Sequence, residues 1–195
     1  ALSWYRKAAE QGLADAQANL GVMYDNGLGV APDDRQAVIW YRKAAAQGDP
    51  DAQFNLGAMY AKGLGVARDE PQAVNWYRRA AEQGLAAAQF NLGLMYANGQ
   101  SVERDLNKAV DWCSRAAEQG NVGAQKLLGI IYFRGDGVPQ DYVQAYKWTS
   151  LAAAQSDKDA AATRVDIAGK MTTAEIASAE ELARGWKPTV NTGVH

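Results

Sequence analysis

The stretch "WYRKAAAQG" at residues 40–48 decides the fold, because the chain writes it more than once. It stands as "WYRKAAEQG" at 4–12 and "WYRRAAEQG" at 76–84, and in weaker form as "WCSRAAEQG" at 112–120 and "WTSLAAAQS" at 148–156. Trp4, Trp40, Trp76, Trp112 and Trp148 are each 36 residues apart. A fixed period of about 20–50 residues marks a solenoid or array, whose units bury their apolar faces on one another. Each period also carries a second block: "AQANLGVMYDNGLGV" at 16–30, "AQFNLGAMYAKGLGV" at 52–66, "AQFNLGLMYANGQSV" at 88–102 and "AQKLLGIIYFRGDGV" at 124–138. Ala16, Leu20, Met23 and Tyr24 there keep the spacing of one helical face, as do Ala37, Trp40, Tyr41 and Ala44 in the first block. Each period therefore predicts an antiparallel helical hairpin, helix A then helix B, and the fold class is all-α.

The punctuation agrees. Asp33, Asp69, Asp105 and Asp141 recur before helix B, with Gln36, Gln72, Lys108 and Gln144 three residues on, a variant of the capping box. Gly12, Gly48, Gly84 and Gly120 close helix B, and paired glycines such as Gly27 and Gly29 turn the chain between A and B. Ser101 stands where the second of these glycines belongs, which predicts a different path for that loop. Gly21, Gly57, Gly93 and Gly129 lie inside helix A, at about 1 kcal/mol each against alanine. Their recurrence predicts close contact with the aromatic body of a neighbouring Trp or Tyr. The domain reading is a solenoid over 1–156, a half repeat followed by four repeats. A C-terminal helical cap follows over 157–186, then a mobile tail over 187–195. In the cap Arg164 replaces an expected Leu, Thr172 and Glu175 form a capping box, and Ile176, Ala179, Leu182, Ala183 and Trp186 line one face. The first residues read as the second turn of a helix whose partner lies upstream, the expectation for part of a longer protein.

Composition narrows the function classes. A formal net charge of -2 and a pI near 5.5 leave no global positive field for nucleic acid, and no run approaches the 18 or so apolar residues of a membrane span. The basic pairs Arg6-Lys7, Arg42-Lys43 and Arg78-Arg79 read as a solvated ladder favoured by the helix dipole, fading at Ser114 and Ser150. Cys113 is the only cysteine and occupies a Tyr position, which predicts a packed, inert thiol. His195 is the only histidine and the last residue, so no internal His triad or His-rich metal site can be built. "GLGV" lacks the spacing of a phosphate-binding loop. No catalytic residue, cofactor or metal is expected, and the partner expected is a protein or peptide, bound by a monomer.

The 36-residue period, with "AQFNLGAMYAKGLGV" and "DEPQAVNWYRRAAEQG" in it, closely resembles the Sel-1-like repeat family, relatives of the tetratricopeptide repeats, over about residues 1–155. The terminal "MTTAEIASAEELARGW" is similar to segments that close many bacterial members. The resemblance implies a right-handed α-solenoid superhelix that binds other proteins as adaptor or scaffold. The alternative it implies is a regulatory or structural domain of a larger bacterial envelope or signalling protein. It leans toward a periplasmic or secreted location and otherwise leaves the compartment open. A cysteine-rich secreted branch has been linked to β-lactamase activity; this chain lacks its paired cysteines and has no Ser-x-x-Lys, so a β-lactamase-like hydrolase is the reading placed last.

The candidate site lies on helix A. Asn19, Asn55 and Asn91 precede the repeated Leu, on the face beside the core stripe that a superhelix turns toward its hollow. In the related tetratricopeptide proteins this Asn often hydrogen-bonds the backbone or terminal carboxylate of a bound peptide. An amide donates and accepts, which suits a peptide backbone and suits a structural bridge between helices equally. Leu127 removes the amide from the fourth helix A. Asn26, Lys62, Asn98 and Arg134 lie two turns along, the cations being placed to hold an acidic group. Ala18, Phe54, Phe90 and Lys126, and Val22, Ala58, Leu94 and Ile130, vary between repeats and are the expected specificity positions.

Overall fold

The computed structural model describes residues 2–189; residues 190–195 of the expected tail, His195 among them, lie outside the described residues. Among the described residues every regular element is an α-helix. The B-type helices are α1 (Leu2–Glu10), α3 (Asp34–Ala46), α5 (Glu70–Glu82), α7 (Leu106–Glu118) and α9 (Tyr142–Ala154). The A-type helices are α2 (Ala14–Asn26), α4 (Pro50–Lys62), α6 (Ala86–Asn98) and α8 (Val122–Arg134), and the chain closes with α10 (Lys158–Ala168) and α11 (Thr173–Gly185). Two compact units divide between Ala88 and Gln89.

Each B helix starts where its aspartate caps it. Asp33 and Asp69 accept from the Gln36 and Gln72 N–H groups at 3.0 Å, and Asp105 and Asp141 do the same for Lys108 and Gln144. Lys108 Nζ adds an ion pair to Asp105 at 3.1 Å, while among the described residues the reciprocal bond of a full capping box is made at Thr172 and Glu175. The A-to-B loop is closed by the same backbone bond in every repeat: Asp33, Asp69, Asp105 and Asp141 N–H donate to Tyr24, Tyr60, Tyr96 and Tyr132. The loop holding Ser101 therefore keeps the common path, against the expectation from its sequence. Ser101 accepts a left-handed φ of 57°, close to the 64° of Gly65. A single residue tolerates that strain when the hydrogen bonds on both sides fix the loop.

In the first unit Tyr41, Leu56, Ala44, Ala52 and Met59 form the core under α3 and α4, and Trp40 packs with Ala9, Ala16 and Leu20. The helix-A glycines face the residue after the Trp, never the Trp itself. A Cβ at Gly21 would stand 2.5 Å from the Tyr41 ring, and one at Gly57 3.0 Å from Tyr77. In the second unit the opposing groups are Cys113 and Thr149, so the expected aromatic contact holds for two glycines and is replaced by smaller side chains at the other two. The Trp rings instead carry cations: Lys43 lies 4.0 Å from the Trp40 ring centroid, Arg79 4.8 Å from Trp76 and Arg115 4.7 Å from Trp112.

A ladder of glutamines, unassigned by the sequence reading, ties successive repeats. Gln17, Gln53 and Gln125 are buried and donate to the carbonyls of Ala9, Ala45 and Ala117. Their side-chain oxygens, with that of Gln89, accept from Gln47, Gln83, Gln155 and Gln119 at 2.7–3.0 Å. Each rung joins the end of one B helix to the A helix 30 residues before it. In the C-terminal segment Ile167 and Ala179 are buried with Ala145 and Tyr146. Leu182 departs from the expected apolar face, being 44% exposed, because α11 presses on α9 through Ala179 instead. Trp186 Nε1 donates to Glu118 at 3.0 Å and Thr189 N–H to the Glu118 carbonyl at 2.7 Å, which ties the segment after α11 to α7.

Candidate functional site

Two hollows are open in the first unit, and they differ in chemistry. The larger, about 680 Å³, is mostly apolar and lies around Trp4, which is 75% exposed, with Tyr5, Ala8 and Leu13, and it shares Asp15 and Asn19 with the smaller. It is a stacking surface of the repeat: the same positions one period on bury Trp40. The smaller, about 470 Å³, lies between α2 and α4 and is lined by Asp15, Ala18, Asn19, Val22, Asp49, Asp51 and Asn55. Of the residues singled out from sequence, this second recess holds Asn19, Asn55, Ala18 and Val22, the two amides one 36-residue repeat apart on successive A helices.

Asn19 is exposed and Asn55 half-buried, and among the described residues neither side chain has a hydrogen-bond partner. The same holds for Asn91 in the second unit. These amides therefore bridge no helices, and the structural alternative left open by the sequence lacks its bond. Asn26 is different: its Nδ2 donates to the Val22 carbonyl at 3.1 Å in its own helix. Asn26, Lys62, Asn98 and Arg134 are the last residues of α2, α4, α6 and α8, exposed and away from the recess lining. Phe54 packs on Tyr77, ring centroids 5.5 Å apart, and the Phe90 ring fills the space beside Gly123. Lys126 Nζ is 3.0 Å from Asp157 and 3.4 Å from Asp159.

The recess is acidic, a property the sequence reading missed. Asp49 caps α4, accepting from Ala52 N–H at 2.6 Å, with Pro50 at the first helical position. The signal was present as the Asp-Pro pair in "GDPDAQF". Burial pushes the Asp49 carboxyl above its usual value, the Ala52 bond pulls it down, and the neighbouring Asp51 and Asp15 carboxylates raise it further. Among the described residues none of the three aspartates has an ion-pair partner, and no group of three or more His, Cys, Asp or Glu could hold a metal ion.

The other candidate groups are engaged. Arg6 and Arg42 donate to the hydroxyls of Tyr24 and Tyr60 at 2.6 and 2.8 Å, so the basic ladder clasps aromatic rings on its own chain. Cys113 is fully buried and desolvation raises its thiol to about 12, far from the thiolate range.

The sequence profile of the Sel1 repeat matches residues 1–13, 14–49, 50–85, 86–121 and 122–157. The chain belongs to the Sel1 repeat family. The boundaries keep the 36-residue period and fall between helices, and the solved Sel1 repeat structures share this all-helical solenoid. One, a protective antigen of uropathogenic Escherichia coli strains with an SLR fold, is 43% identical with a TM-score of 0.86, over 95% of this chain and 40% of that one. A Sel1 repeat protein from Oxalobacter formigenes is 41% identical with a TM-score of 0.77, over 82% of this chain and 47% of that one. The chain thus spans less than half the length of either. An immunity protein from Pseudomonas aeruginosa shares the fold at 22% identity and a TM-score of 0.55. No curated protein matches. Sel1 repeats are in general protein-interaction modules on a non-enzymatic helical fold.

Proposed function

We propose that this Sel1 repeat chain is a docking module that takes an extended segment or a helix of a partner protein along the concave face of its A helices. The observation that carries this reading is the pair of unpartnered amides, Asn19 and Asn55, one period apart in a single polar recess. An amide offers one donor group and one acceptor, the complement of a peptide unit, and a partner seated there satisfies groups that no helix of the chain satisfies. Val22 and Ala18 beside them give apolar contact, and Asn91 offers the same amide in the second unit.

The test compares the immobilised chain with an Asn19→Ala, Asn55→Ala, Asn91→Ala variant matched for helical circular dichroism, probing the lysate of the source organism. A photo-crosslinking residue at Asp15, in the recess, is run beside one at Ile39, on the exposed side of α3. The expected result is a partner crosslinked from position 15 and not from 39, and lost from the triple variant. A partner retained equally by the variant and crosslinked from position 39 places binding elsewhere and overturns the reading.

A further inference from the structure

We infer that the recess of the first unit is an ammonium site, and that it selects a partner segment by one lysine side chain seated between Asp49 and Asp51. The inference rests on the docking reading above and names the chemistry of its partner. The chain contains its own precedent. Asp157 and Asp159 stand three 36-residue periods after Asp49 and Asp51, and Lys126 stands three periods after Ala18. In that later repeat the Lys126 ammonium lies 3.0 Å from Asp157 Oδ2 and 3.4 Å from Asp159 Oδ2. Asp157 there caps α10 through the Ala160 N–H, as Asp49 caps α4 through the Ala52 N–H. The two carboxylate pairs are thus held by the same local structure, one with a cation between them and one facing the methyl group of Ala18.

The electrostatics of the two sites differ in the same sense. With Lys126 present, the Asp157 carboxyl is held below its usual value, first by the Ala160 N–H and then by the ammonium. Asp49, with no ammonium beside it, is raised, first by burial and then by the Asp51 and Asp15 carboxylates. A lysine from outside offsets that repulsion, and the flanking Asn19 and Asn55 amides are placed to pair with the backbone that carries it. Across the other repeats the pair is absent: the positions of Asp49 and Asp51 are Leu85 and Ala87, then Asn121 and Gly123. An acidic segment, the ligand suggested by Lys62 and Arg134, meets like charge here and is disfavoured.

The test is an NMR titration of the full isotope-labelled chain with two capped pentapeptides, Ala-Ala-Lys-Ala-Ala and the same peptide with norleucine at its centre. Expected are shifts at Asn19, Asn55, Asp49 and Asp51 with the lysine peptide, and an affinity about tenfold weaker for norleucine, the discrimination typical of charge-assisted hydrogen bonds. The Ala18→Lys variant, which supplies the ammonium in cis as position 126 does, should lose the lysine preference and bring the Asp49 carboxyl down toward the usual range. Equal shifts from both peptides overturn the ammonium site and leave the docking reading standing. Shifts from neither, with crosslinking from position 15 intact, also overturn it. Loss of that crosslinking is what overturns the docking reading itself.

Discussion

At the scale of single residues, the repeat is set by a few positions where only one size or one conformation fits. A Cβ at Gly21 would stand 2.5 Å from the Tyr41 ring, a ring locked by burial and by a 3.2 Å bond from its hydroxyl to Asp25. Gly21→Ala is therefore expected to destabilise by about 1–3 kcal/mol through overpacking, despite alanine's better helix propensity, as read from a urea midpoint. Ser156 shows the opposite case. It holds φ 71° where the other B helices end in glycine, and Ser156→Gly should raise the melting temperature by relieving a left-handed cost of roughly 1–2 kcal/mol, less what glycine adds to unfolded-state entropy. Asp49 gives a pH signature. Its folded carboxyl holds a proton to higher pH than the unfolded chain does, so its share of stability is full in acid and is lost as pH rises through the folded value. Asp49→Asn keeps a good cap and removes the charge. It should be more stable than the native chain at pH 7, with the difference shrinking below the ordinary carboxylate range in melts run across pH.

At the scale of the helices, the glutamine ladder matters more than the cation ladder beside it. Gln53 donates to the Ala45 carbonyl and accepts from Gln83, so Gln53→Leu removes two hydrogen bonds at once. A loss of about 1–3 kcal/mol is expected in chemical denaturation, against no more than about 1 kcal/mol for Arg42→Gln on the exposed Tyr60 contact. Both blocks that hold these glutamines were plain in the sequence, yet the rungs were not. A period of 36 identifies equivalent residues and says nothing of which residue 30 positions away closes a bond. The A-to-B loop teaches the same lesson, since Ser101 looked like a break in the pattern and the backbone bonds around it carry it through.

At the scale of the whole chain, α10 and α11 end the second unit by covering Tyr146 and Ala145, and by seating Asp157 and Asp159 on Lys126. A chain ending at residue 156 should melt at lower temperature and bind a hydrophobic dye more strongly, because Tyr146 and Ala145 then meet water. The same chain should leave Lys126 titrating closer to the ordinary lysine value, since its upward shift comes first from Asp157.

Periodicity alone determined the hairpins, the caps at Asp33, Asp69, Asp105 and Asp141 and the amide face of Asn19, Asn55 and Asn91, because helical spacing and capping are local and each repeat restates them. The tertiary structure alone decided that those amides are unpaired, that Asn26, Lys62 and Arg134 stand apart from them, and that the recess is acidic. The physical reason is distance along the chain. Asp49 and Asp51 belong by sequence to the start of one helix, and they meet Ala18 and Asn19 of the preceding A helix only when the hairpins stack.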